Sequence, residues 1–198
     1  MHVAKIVFTM SALLLSAKSL HSQNPIKGLE SSGPDPSWKA KLDTFGQFVG
    51  DWTFEVTLLR QDGSKEQGSG SWHFAWVLEG RAIQDVWIAN YRPSRPGDQE
   101  RGYGTTLRFY DPKIDAWRVT WISPLSDNII LFTARKAGGE IVMESKNAAG
   151  GIAHWIFSDI TPSSFRWRSE GSRDGGKTWI VGQEFRVRRA NSGTTTER

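Results

Sequence analysis

Few side chains in this sequence are of the types that do acid–base, nucleophilic or metal chemistry, and none falls in a spacing specific for it. There is no cysteine, which excludes thiol nucleophiles, thiolate zinc sites, iron–sulfur clusters and disulfides. The chain contains no G-x-S-x-G elbow, no Walker loop, no G-x-G-x-x-G and no H-E-x-x-H. His73 and His154 fall in separate extended segments, and lone histidines of this kind would hold a metal only with help from carboxylates such as Asp85 or Glu144. Carboxylates such as Glu55 and Glu79 have nothing in the sequence to bring them together. No metal and no cofactor is expected, and the sequence identifies no catalytic residue.

Two polar residues stand out because of the rows they interrupt. If Trp87 faces inward, Ile83, Asp85, Ala89 and Tyr91 share its face, and Asp85 becomes a carboxylate in an apolar interior that must be hydrogen-bonded, paired or protonated. In the opposite register Ala82, Gln84, Val86 and Ile88 face inward and Asp85 lies at the surface; a slip of one residue exchanges the two. Gln183 is likewise the polar member of the row Trp179, Val181, Gln183, Phe185, Val187.

These rows belong to a repeating pattern. Ten Trp, ten Phe and three Tyr occur among 198 residues, and most fall at a period of two, the signature of strands with one buried face. Clear examples are Trp52/Phe54/Val56/Leu58, Trp72/Phe74/Trp76/Leu78, Tyr103/Thr105/Leu107/Phe109, Trp117/Val119/Trp121 and Phe165/Trp167. Weaker segments at 81–91, 128–136, 140–146 and 151–159 bring the expected strands to about ten. Hairpin chemistry joins them at Gln61-Asp62-Gly63-Ser64, Asp111-Pro112-Lys113, Gly138-Gly139, Ala149-Gly150-Gly151 and Asp174-Gly175-Gly176. No segment is long enough for a βαβ crossover, so consecutive strands should pair antiparallel. Closing such a sheet removes its two open edges. The expected fold is therefore all-β, an antiparallel up-and-down barrel of about ten strands, with an open two-sheet sandwich as the alternative. A short amphipathic helix, Trp38/Leu42/Phe45/Val49 over about 37–48 with Ser37 as N-cap, precedes it.

The ends read differently. A short basic start, an apolar run from Ile6 to Leu15 and Ser22 before Gln23 match a signal peptide over 1–22, followed by a flexible lead-in at 23–36, the barrel domain at 37–189 and a disordered tail at 190–198. Secretion or periplasmic export is expected, with no membrane span. The formal charge of +4 loses Lys5 and Lys18 with the leader, leaving 23 bases against 21 acids. Arg108, Arg118, Arg166, Arg168 and Arg186 alternate with aromatics and so should face solvent, whereas a nucleic-acid groove wants both on one face. No nucleic acid is expected, and the oligomeric state is not legible.

Gly50-Asp51-Trp52 after the short helix resembles the G-x-W signature of the lipocalin-like, or calycin, barrels. That resemblance implies a binding cavity and a Trp closing the barrel bottom against a late-strand Arg, here Arg186 or Arg188. The strings Leu78-Glu79-Gly80-Arg81-Ala82-Ile83-Gln84-Asp85-Val86-Trp87 and Phe109-Tyr110-Asp111-Pro112 resemble a bacterial family of lipocalin-like proteins of unknown function. The haem-binding nitrobindin type of that superfamily relies on a His near its C-terminus, and this chain has no His after His154. Ser172-Arg173-Asp174-Gly175-Gly176-Lys177-Thr178-Trp179 matches the Asp-box of sialidases and other β-propellers; it occurs once, so it is read as a turn-stabilising hairpin.

The partner implied is a small, largely hydrophobic ligand. Its expected contacts are Trp72, Phe74, Trp76, Trp87, Phe109, Trp121, Phe157, Trp167 and Phe185, with Asp85 and Gln183 orienting it. An enzyme using Asp85 or His154 in the same cavity, or a structural module of the envelope, are the alternatives.

Overall fold

The computed structural model describes residues 25–92 and 100–190. The expected signal peptide and nearly all of the expected disordered tail lie outside them. Among the described residues no helix is long and apolar enough to cross a membrane.

Ten strands close into one antiparallel barrel in which consecutive strands pair and β1 also pairs with β10 to close the sheet. They are β1 Gly50–Leu59, β2 Lys65–Val77, β3 Ala82–Arg92, β4 Arg101–Asp111 and β5 Ala116–Ser123, then β6 Asn128–Ala137, β7 Glu140–Lys146, β8 Ile152–Ser158, β9 Ser164–Ser172 and β10 Ile180–Arg189. All five expected hairpin turns join consecutive strands. The up-and-down order follows from those short connections, and closure leaves no full-length edge strand.

The helix before the barrel is shorter than its apolar spacing suggests. A 3-10 turn at Pro36–Trp38 leads into α2, Lys39–Gly46, and the cap is Asp35 rather than Ser37: its carboxylate accepts the Ser37 N–H at 2.8 Å. Residues 25–36, read as a lead-in, contain a short helix α1, Pro25–Leu29, and clasp the β2–β3 turn through Ser31 N–H to Trp76 O and Asp35 N–H to Gly80 O. That turn holds Leu78 and Glu79 at φ 53° and 58°, a left-handed pair that is costly without glycine. Gly80 follows at φ 77°, and a Cβ there would lie 2.2 Å from the Gly33 carbonyl. The clasp therefore fixes the backbone at the start of β3, the strand that carries Asp85 and Trp87.

α2 plugs one end of the barrel. Leu42 and Phe45 on α2, and Phe48 just beyond it, are buried against Phe74, Trp117, Phe157 and Phe165 from the strands. Trp52 completes this floor. Its indole donates to the Phe48 carbonyl at 2.6 Å, and the Arg189 guanidinium lies 4.0 Å from its ring centroid. The late-strand Arg is thus Arg189, not Arg186 or Arg188. Phe185 and Val187 face inward, so period two carries Arg189 inward as well, opposite Trp52, and leaves the other two outside. Arg189 also donates to the Val49, Gln47 and Pro162 carbonyls, tying β10 to the segment before β1 and to the turn before β9.

Candidate ligand cavity

β3 adopts the register with Ile83, Asp85, Trp87 and Ala89 inward, all buried. Directly paired residues share a face, so this register sets that of β4: Ile83 pairs with Arg108, Asp85 with Thr106, Trp87 with Gly104 and Ala89 with Gly102. The inward row of β4 is therefore Gly102, Gly104, Thr106 and Arg108, and the alternating Tyr103, Thr105, Leu107 and Phe109 face out. Phe109 is 44% exposed and is no part of the interior; Arg108, expected in solvent, is 1% exposed. The physical reason is the buried carboxylate. Asp85 requires a partner, and the inward row of the neighbouring strand supplies Arg108 for an ion pair and the Thr106 N–H at 3.1 Å.

The Arg108 guanidinium also sits 5.0 Å from the Phe45 ring and 5.2 Å from the Phe74 ring, so aromatic faces meet the side of it that Asp85 leaves open. Burial pushes the Asp85 carboxyl up, against the Arg108 charge and hydrogen bond that pull it down. Trp72 Nε1 makes no hydrogen bond of ordinary geometry, yet it is near enough to this carboxylate to favour its charged form. The pair lies in the floor of the interior and does not line the space above it.

That space exists because β4 presents glycines there. A Cβ on Gly102 would lie 2.9 Å from the Trp87 ring, and one on Gly104 only 2.4 Å from the Trp121 ring. The outer atoms of the two indoles come close to bare backbone, which is the use of glycine inside a strand. With no side chains at Gly102 and Gly104 to fill the centre, a cavity of about 190 Å³ remains at the end of the barrel opposite α2. Its walls are Trp72, Trp87, Tyr91, Trp121, Trp155, Trp167 and Phe185, and Thr106, Ser123, Ser126, Asn128 and Gln183 supply the polar positions. Trp87 and Phe185 are near-parallel, while Trp121, Trp155 and Trp167 meet in edge-to-face contacts.

Gln183 reaches this mouth by a β-bulge. On β9, Glu170 pairs with Val181 and Ser169 with Gln183, so Gly182 is the extra residue on β10. A bulge re-aims the side chain that follows it. No charged residue lines the cavity among the described residues, and its one phenol, Tyr91, is pushed up to about 12 by burial and by the neighbouring Glu66 charge.

Of the residues expected to contact a ligand, Trp72, Trp87, Trp121, Trp167, Gln183 and Phe185 line this cavity. Phe74, Trp76 and Phe157 are buried but pack the floor, Trp76 against Gly46 of α2. Asp85 is beneath it and Phe109 outside. Trp155 and the Ser123–Asn128 corner were missed; Trp155 is legible in hindsight, two residues before inward Phe157 on the same strand face.

His73 and His154 are elsewhere. His73 meets Asp51 at 2.7 Å on the outer surface, and His154 lies between Glu144 and Glu170, stacked 4.1 Å from the Trp179 ring. The Asp-box adopts the hairpin expected of it. Asp174 accepts from Ser172 Oγ, the Lys177 and Thr178 N–H groups and Thr178 Oγ1, and Trp179 donates to the Gly176 carbonyl.

No protein-family model matches the chain, and no curated protein does. Solved structures do. An S-type phycobiliprotein lyase, CpeS, from Guillardia theta is similar over 78% of this chain and 97% of its own, with a TM-score of 0.51 at 12% identity. Rv2717c from M. tuberculosis is similar over 80% of this chain and 99% of its own, with a TM-score of 0.51 at 11% identity. At such identities the likeness is one of architecture, and what this barrel holds is argued from its own residues.

Proposed function

We propose that this protein binds a small, neutral, largely hydrophobic molecule in the open half of its barrel. The observation that carries the reading is the division of the interior: aromatics fill the α2 end, while the glycine row of β4 leaves about 190 Å³ walled by five Trp at the other. A protein whose rings served only its core would close that space, since native interiors are packed to crystal density. An apolar cavity of ~150 Å³ accepts benzene, so this one suits roughly eight to ten non-hydrogen atoms. Its uncharged wall favours a neutral guest, and Gln183 and Asn128 offer amide groups to a polar edge at the mouth.

Acid–base catalysis is the less supported reading, because Asp85 is committed to Arg108 beneath the cavity and His154 is outside the barrel. The same proposal includes export from the cytoplasm, for which the basic start and apolar run of residues 1–22 and the absence of cysteine are the support. Kinship with the bacterial family that the Leu78–Trp87 string resembles is also part of it; the clasped left-handed turn gives that string a structural use.

The test is quenching of intrinsic Trp fluorescence by a neutral bicyclic aromatic of nine non-hydrogen atoms, such as benzofuran. Saturable one-to-one binding that is lost in Trp87→Ala supports the proposal. Absence of saturable binding across neutral and charged apolar molecules of this size overturns it.

A further inference from the structure

The outer surface of the barrel is divided as sharply as its interior. On β9 and β10 the outward positions are charged: Arg166, Arg168, Glu184, Arg186 and Arg188, with Glu55 opposite on β1. Along the middle of β3 to β6 they are not. Paired residues there form one continuous row, Val86–Thr105–Ile122–Ile129, and beside it a second, Gln84–Leu107–Thr120–Leu131. Neither row contains a charge. Ile129 and Leu131 are 69% and 67% exposed, with Val86 at 42%, Ile122 at 40%, Tyr103 at 37% and Phe109 at 44% around them. Six of the ten large hydrophobic residues exposed among the described residues are on this one face.

The borders are polar. Arg101 lies 5.9 Å from the Tyr103 ring centroid at one end, and Arg118 is neutralised by Asp111 at the other. An apolar centre with a polar rim is the anatomy of a protein interface.

From this we infer that the β3–β6 face is a dimer interface, formed by packing against the same face of a second copy about a two-fold axis. Area is the argument for that occupant. The six large residues expose roughly 600 Å², at about 150–250 Å² for each when bare. The partly exposed residues between them bring the face to roughly the 800 Å² per partner that a stable complex buries. It exceeds the patch a typical monomer leaves in water. The face is also uncharged, so it meets itself without like-charge repulsion, whereas the Arg-rich β9–β10 face would not. β6 adds to it: only Thr133–Ala137 pair with β7, so Asn128–Phe132, which carry the two most exposed residues, are unpaired on that side and free to adjust to a partner.

Sedimentation velocity from 1 to 100 µM tests the inference. The purified protein is expected to sediment as a dimer with a dissociation constant in the micromolar range or tighter. Ile129→Glu, and separately Ile122→Lys on the neighbouring strand, should each weaken it at least about 100-fold. Both side chains point away from the core, so melting temperature and ligand quenching report that the fold is intact, and two strands supply independent variants. A monomer throughout this range overturns the inference, as does a dimer indifferent to both substitutions. A monomer that co-floats with phosphatidylcholine vesicles also overturns it, by making the face a lipid-contact surface.

Discussion

Gly104→Ala is the substitution that bears hardest on why the cavity exists. The new methyl carbon would sit 2.4 Å from Cη2 and 2.5 Å from Cζ2 of Trp121, and 2.6 Å from the Ile122 carbonyl oxygen. Carbon atoms rest at about 3.5–4.0 Å, so the indole must retreat by roughly 1.2 Å, and the carbonyl is held by the sheet. The room available to the ring is the cavity it lines. A ring edge and face sweeping that distance removes about 50 Å³, roughly a quarter of the space, or two to three guest carbons at ~0.8 kcal/mol each. Binding should therefore weaken by about 2 kcal/mol, near thirtyfold in Kd. Stability should fall by about 1–3 kcal/mol, as expected of overpacking.

The check is a pair of fluorescence titrations and urea melts, run with Trp121→Phe and with the double variant. Phe lacks the benzo atoms that the methyl strikes, so the double variant should recover most of both losses. Wild-type affinity in Gly104→Ala, or a double variant no better than the single, refutes the idea that β4 glycines hold the indoles off the centre.

Other consequences follow from particular contacts. Removing one partner of the buried ion pair, as in Asp85→Asn or Arg108→Met, should cost about 3–5 kcal/mol in urea unfolding, and the double replacement Asp85→Leu with Arg108→Met should cost much less. Arg189→Ala should lower stability by about 2 kcal/mol through lost carbonyl contacts and the Trp52 stack, with a change in near-UV circular dichroism that Arg188→Ala does not produce. Hydrogen bonds from Thr178 and Ser172 hold the Asp174 carboxyl down at about 2 from an ordinary 3.8. A depressed carboxylate stabilises the fold above its unfolded pKa and loses that contribution as pH falls through the folded value. Melting temperature should therefore drop between about pH 4 and pH 2, and Asp174→Asn should flatten part of that acid limb.

Much of this was legible because period two is a strong signal when the apolar residues are as large as Trp and Phe. The strands, their antiparallel order and the Asp-box hairpin all followed from spacing and turn chemistry. β4 was misread for a definite reason. Its row Tyr103, Leu107, Phe109 is more apolar than Gly102, Gly104, Thr106, Arg108, and hydrophobicity alone places the first inside. The opposing signals were present: two glycines two residues apart in a strand mark close backbone approach, and a carboxylate at Asp85 demands a base on the adjacent inward row. The apolar row that lost the core is now a large part of the exposed face for which a partner is inferred. Arg189 was missed because period two was not carried two residues past Val187. The stack of His154 on Trp179 joins residues 25 positions apart through the β9–β10 hairpin, and no local pattern records it.

The ten Trp permit a direct test of the central claim, since each contributes one indole N–H resonance. Five line the cavity, Trp72, Trp87, Trp121, Trp155 and Trp167, and the remaining five, Trp38, Trp52, Trp76, Trp117 and Trp179, do not. In a nitrogen-15 correlation spectrum titrated with benzofuran, the account predicts saturable shifts at the first five with the second five nearly unmoved. Shifts centred on Trp52, Trp76 and Trp117 at the α2 end, or uniform small changes across all ten, would contradict it.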